Sequence, residues 1–276
     1  MIGTATREDE EARERMQEGA TSIEAPAGGL GRYARWQLKD FLTQKAPILG
    51  VLAILLMYPL VAGFFNVSPQ FENFAREMKD KWLYVMTGIL TPLGTLLATR
   101  GIVAEDRQQG YHRFLFAKPV RLMRYYAQQF AVNFAGVMSV IAAVAVLYSL
   151  VIAPVSLLPA LVPAAVFFVL FGGVTFLFST LSRLDWVWTL GSVAATAWTM
   201  YLVDQKHWTF LKPLKALLLP LESFGEMVVE WLKFTDLRFG EGSLLSALGS
   251  TAWPLAYGLG AFALGLVILK KRSVVR

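Results

Sequence analysis

The chain contains no cysteine. Disulfides and cysteine-ligated metal centres are thereby excluded, and the redox compartment leaves no mark on the composition. Histidine is nearly missing as well: His112 and His207 are the only two, far apart in sequence, which argues against a histidine metal site. Charge is scarce, at 17% of 276 residues, against about 25% in an average soluble domain. No Gly-x-x-x-x-Gly-Lys-Ser/Thr stretch is present to cradle a nucleotide phosphate. The long apolar segments hold no Asp, Glu, Lys, Arg or His, whereas ion-coupled carriers bury such a group at membrane depth. They also lack the carboxylate pair or histidine cluster that acid–base or metal chemistry would require. The expectation is a chain with no catalytic residues, no metal and no cofactor of its own, and so not an enzyme.

What is abundant is hydrophobicity, at 55% of residues, and the composition points to a membrane protein. Six apolar segments, at about 46–66, 82–99, 125–153, 157–181, 186–203 and 244–269, approach or exceed the roughly 20 residues needed to cross hydrocarbon. Ahead of them, residues 1–28 are polar and of mixed charge, without the apolar core of a signal peptide, and are expected to form a disordered cytosolic tail. From Leu30 to Lys45, Leu30, Ala34, Leu38, Phe41 and Leu42 share a helical face, while Arg32, Arg35 and Lys39 point elsewhere. That pattern predicts an interfacial helix leading into the first span.

The 26 Lys and Arg residues are unevenly placed. With both termini on one side, 18 of them share that side, in residues 1–45, 100–124, 182–185 and 270–276. The positive-inside bias then puts both ends in the cytoplasm, in a multi-pass protein of the cell (inner or plasma) membrane. The basic residues are explained by topology, so nucleic acid is not an expected partner; membrane lipid is. Residues 204–243 would lie outside. Trp208–Leu221 is apolar but too short to span and holds Lys212, Pro213 and Lys215, and an amphipathic piece follows from Met227 to Phe234. This predicts an outer-face helical hairpin, re-entrant or interfacial, broken near Pro220 and Gly225. The expected fold is thus all-α: six transmembrane helices, an N-terminal interfacial helix and an outer hairpin before the last span.

Polar residues recur along single faces of the spans. Thr87, Thr91, Thr95 and Thr99 step by four in the second; Thr189, Ser192, Thr196 and Thr199 repeat the idea in the fifth; Gln129 and Asn133 pair in the third. Helix packing through hydroxyls and a pathway for a partly polar, lipid-like or amphipathic cargo are both compatible with such stripes.

Between the second and third spans runs Glu105-Asp106-Arg107-Gln108-Gln109-Gly110-Tyr111-His112-Arg113-Phe114-Leu115-Phe116-Ala117-Lys118-Pro119. Tyr111, Phe114 and Leu115 fall at i, i+3, i+4 and share a face. Asp106 suits the positive end of a helix dipole, and Pro119 stops the helix. The run predicts a short amphipathic helix on the cytoplasmic side.

Asp106-Arg107, Gly110, Pro119, Val120 and Tyr125 in this spacing, with the span arrangement of residues 30–276, resemble the permease subunits of ABC-2 type transporters. Tyr111, Arg121 and Leu122 depart from the family pattern, which has Thr, Ser and Arg there. The resemblance implies an exporter half that forms the translocation path, pairs with a second permease copy (the same chain or a related one) and docks on separate ABC ATPase subunits that bind Mg-ATP. Its coupling helix would be the loop 103–118, with Tyr111, Phe114 and Leu115 filling a cleft of the ATPase and Asp106, Arg107 and Arg113 at the rim. A passive channel or a structural or assembly membrane protein without ATP coupling is the other class that charge-free spans allow.

Overall fold

The computed structural model describes residues 28–64, 79, 81–100, 102–103, 122–182, 184–204, 206, 208, 210, 218–235 and 243–274. These residues form eight helices: α1 Gly28–Gln44, α2 Ala46–Phe64, α3 Trp82–Thr99, α4 Leu122–Val151, α5 Leu158–Leu181, α6 Asp185–Asp204, α7 Leu221–Thr235 and α8 Leu244–Val274. Of these, α2, α3, α4, α5 and α8 are long and apolar enough to cross a bilayer. Among the described residues the fold is all-helical, that of a multi-pass membrane protein. The fifth expected span corresponds to α6, whose 20 residues include Asp185 and a run of hydroxyls and which falls short of that apolarity. Expectations for residues 1–27, and for most of 204–217, lie outside the described residues.

Helix α5 is the axis of the bundle. Buried residues make up 61% of its apolar window, against 22% for α8 and 28% for α2, so its neighbours sheathe it. It packs against α3, α4, α6, α7 and α8. Its closest approach is to α8, at a pair of glycines. A Cβ on Gly258 would stand 2.5 Å from the Val169 carbonyl oxygen, and a Cβ on Gly173 would drive into the Gly258 carbonyl oxygen. Only residues without side chains let two backbones touch in this way, and the dispersion contacts so gained drive helix association where the hydrophobic effect is weak. Two turns further on, Gly265 lies against Phe176 and Leu177. Since Gly258 meets Val169 and Gly265 meets Leu177, α5 and α8 run parallel.

Consecutive helices from α2 to α6 pack antiparallel. Leu49 of α2 is beside Gly94 of α3, while Trp82 at the far end of α3 donates its indole N–H to the Leu56 carbonyl at 2.8 Å. Asn133 of α4 reaches Ala98 of α3, and Tyr148 reaches Lys79. Phe130 and Phe134 of α4 both contact Phe168 of α5. Thr189 of α6 bonds Thr175 of α5, and Val193 packs beside Leu170 and Val174. Helix α1 lies across α4, with the Phe41 ring in a notch that Gly136 leaves open.

Helix α7 lies across the first turns of α5 and α8. Its apolar residues Phe224, Met227, Val228 and Trp231 pack on Val162, Val166, Ala247 and Leu255. The helix runs unbroken through Gly225, which corrects the break expected there: Gly225 is exposed with nothing near it, so the lost packing is nil and the helix tolerates it. Pro220 does precede the first turn, where a missing N–H costs nothing.

The glycine crossing yields a test. Gly173→Leu must push α5 and α8 apart and is expected to cost about 3 kcal/mol, the upper end for forced overpacking, whereas Gly260→Leu on the open face of α8 should leave thermal stability in detergent within a degree or two of the parent.

Candidate functional site

The residues expected to dock on a partner, Asp106, Arg107, Gly110, Tyr111, Arg113, Phe114, Leu115 and Pro119, lie outside the described residues. The two stems of their loop do not. After Arg100 ends α3, Ile102 and Val103 turn back into the bundle and are buried. They join Tyr125 and Tyr126 from the start of α4, Phe176 of α5 and Leu269 of α8 in one apolar cluster. Tyr126 sits at the centre, fully buried, edge-on to Tyr125 at 5.1 Å and 5.9 Å from the Phe176 ring. Four helices therefore meet where the loop leaves and re-enters.

Next to this cluster, Asn133 serves as a cap. Ala98 is in the last turn of α3, where carbonyls lose their helical donors, and the Ile102 amide turns to Thr99 instead. The Asn133 Nδ2 donates to the Ala98 carbonyl at 2.9 Å. Gln129, one turn earlier on α4, is partly buried, and its Oε1 is enclosed without a hydrogen-bond partner.

The threonine stripe of α3 faces inward along its length. Thr95 and Thr99 are completely buried, and Thr87 and Thr91 nearly so. Each hydroxyl donates back along its own helix: Thr91 to Thr87, Thr95 to Thr91 and Thr99 to Thr95, at 2.6–2.7 Å, and Thr87 to the Tyr84 carbonyl. On α6, Thr196 is buried and Ser192 partly so; they donate to the carbonyls of Ser192 and Thr189 respectively. Back-bonding satisfies the protons and leaves the oxygen lone pairs facing outward. Thr189 donates both to its own Asp185 carbonyl at 2.9 Å and, across the helix interface, to the Thr175 hydroxyl oxygen at 3.1 Å.

Thr87 and Thr91 also line a cavity of about 110 Å³ between α3, α5 and α7. Its walls are Tyr84, Gly88 and Pro92 from α3, Pro159, Pro163 and Phe167 from α5, and Phe224, Val228 and Leu232 from α7. Sequence reasoning did not find this cavity. Mid-helix prolines 92 and 163 were its visible signal. Among the described residues no group of three or more His, Asp or Glu side chains comes together to hold a metal ion.

Helix α7 is tied to α8 by Glu230, whose carboxylate accepts from Lys233 at 3.0 Å and from the Ser246 hydroxyl at 2.8 Å. The Lys233 hydrogen bond, and then that of Ser246, hold the Glu230 carboxyl below its ordinary value of 4.5.

No family model, no curated protein and no solved structure matches the chain.

Two measurements bear on these contacts. Asn133→Ala leaves the Ala98 carbonyl without its cap and is expected to lower stability by about 1–3 kcal/mol, read from thermal unfolding in detergent. The Glu230 contribution is present above pH 4.5 and is lost as pH falls through the lowered value. Protection of the α7 amides, taken against the intrinsic exchange rate at each pH, should therefore fall on acidification below that point, and Ser246→Ala together with Lys233→Met should flatten the change.

Proposed function

We propose that the chain is the membrane-spanning permease subunit of an ATP-driven exporter, coupled to separate ATPase subunits through the loop 103–118. The observation that carries this reading is the apolar cluster at the stems of that loop. Force applied to residues 104–121 is delivered to α3 through Ile102 and Val103, to α4 through Tyr125 and Tyr126, and from them to α5 and α8 through Phe176 and Leu269. Packed interiors transmit such displacements because they deform little. A loop with loose stems would dissipate the push in its own backbone.

The reading includes six crossings and cytoplasmic termini. Because α5 and α8 run parallel, the chain must return to the starting side between Leu181 and Leu244. Helix α6 is antiparallel to α5, and its 20 residues extend about 30 Å, the thickness of the hydrocarbon. Exposed Trp186 and Trp188 mark one end, and exposed Trp198 and Tyr201 the other, as aromatic belts do at both membrane interfaces. Its threonines reduce its apolarity but are buried and satisfied by carbonyls of their own helix. A second permease copy completes the path in this reading.

Cysteine labelling tests the topology directly, since the parent chain has none. Leu184→Cys and Ser243→Cys flank the α6–α7 region and are expected to react with an impermeant maleimide from opposite faces of the membrane; reaction from one face would remove the sixth span. The coupling is tested by affinity purification from native membranes. An ATP-hydrolysing subunit is expected with the parent chain, and Phe114→Asp should reduce its recovery at least tenfold while membrane insertion persists. Equal recovery with the variant would overturn the docking assignment.

A further inference from the structure

The cavity between α3, α5 and α7 has a chemistry of its own, independent of any ATP coupling. Pro92 and Pro163 stand inside helices, and neither supplies the N–H that would close on the carbonyl four residues earlier. Those carbonyls belong to Gly88 and Pro159. All four residues line the cavity. A helical carbonyl points along the axis toward residue i+4, so when both i and i+4 face one wall, the freed oxygen lies on that wall. Gly88 has no side chain to cover it, is exposed at the mouth, and has open space beyond its Cα.

Among the described residues the rest of the lining supplies acceptors and no spare donors. Thr87 and Thr91 spend their protons on the Tyr84 and Thr87 carbonyls, and the Tyr84 hydroxyl donates to Ser156 at 3.4 Å. Among the described residues no Asp, Glu, Lys, Arg or His lines the cavity. The remaining surface is proline, phenylalanine and aliphatic carbon. A phosphate or carboxylate placed here would meet carbonyl oxygens without a counter-charge, at a cost of several kcal/mol. An ammonium would find acceptors but no anion to neutralise it. A neutral hydroxyl donor matches the wall, and an apolar tail matches the lining and the exposed Val85 and Ile89 beside Gly88.

From this complementarity we propose that the groove binds an uncharged, hydroxyl-bearing lipid, a diacylglycerol or a long-chain alcohol, whose hydroxyl donates to the Gly88 or Pro159 carbonyl. The volume of about 110 Å³ is of the order of the cavity of about 150 Å³ that takes up a benzene ring. That accommodates the head and first carbons, and the chains leave past Gly88 into the bilayer.

The test uses full-length protein in detergent and native mass spectrometry with three probes: 1,2-dioctanoylglycerol, its 3-O-methyl ether and dioctanoyl phosphatidate. Dioctanoylglycerol is expected to bind saturably and at least tenfold more tightly than either of the others. Gly88→Leu fills the mouth and should weaken it at least tenfold, whereas Gly191→Leu on the open face of α6 should not. Pro163→Ala returns an N–H to the Pro159 carbonyl without adding bulk and should also weaken binding, which keeps the proposal testable if Gly88→Leu folds poorly. Equal affinity for the methyl ether, no saturable binding of dioctanoylglycerol, or indifference to both Gly88→Leu and Pro163→Ala would overturn the assignment. None of these readouts depends on an ATPase, so failure here and failure of the exporter reading are separate results.

Discussion

The backbone contact between Gly173 and Gly258 sets the arrangement of the bundle. In lipid, apolar side chains gain little by leaving one hydrocarbon for another, so helices associate through close packing and hydrogen bonds. At this crossing the two backbones approach until neither glycine has room for a Cβ. That contact fixes α8 parallel to α5, forces the intervening chain to double back as α6, and sets α7 across the first turns of both. It also brings Leu269 beside Phe176, which completes the cluster under the loop stems. Separating the two glycines would alter all of these together.

The hydroxyls of the α3 stripe follow one rule: protons are satisfied locally, and oxygens are left to face neighbours. The α3 and α6 threonines bond their own helices, so they add hydroxyls to the interior without an unpaired donor. Two consequences differ by depth. Near the middle and end of α3, Thr95 and Thr99 pack tightly in full burial. Near its start, Thr87 and Thr91 border the cavity held open by Pro92 and Pro163. Asn133 applies the complementary device, donating to a carbonyl that the end of a helix had orphaned. A single stripe thus has different roles along one helix.

The two regions of interest sit at opposite ends of α5. The loop-stem cluster gathers at its last turns, by Phe176, and the groove opens at its first turns, by Pro159 and Pro163. Helix α5 touches every other long helix except α2 closely. A displacement at the cluster therefore has one buried, densely packed element through which to reach the groove and α7.

The amino-acid sequence by itself determined that the chain is helical, where its long apolar segments lie, and that no ionisable group occupies them, because length, periodicity and charge are local properties. From spacing it also leads to the expectation that Tyr111, Phe114 and Leu115 share one helical face. It could not tell which glycines matter: Gly173 and Gly258 are pressed together, while Gly191, Gly249 and Gly260 face open space, though all look alike in an apolar helix. Nor could it say that Gly225 is carried within α7, or that prolines 92 and 163 face one cavity. The physical reason is that in a membrane an apolar residue is equally at home against lipid or protein, so hydrophobicity marks a span without naming its partner; only the tertiary crossing decides which surfaces meet.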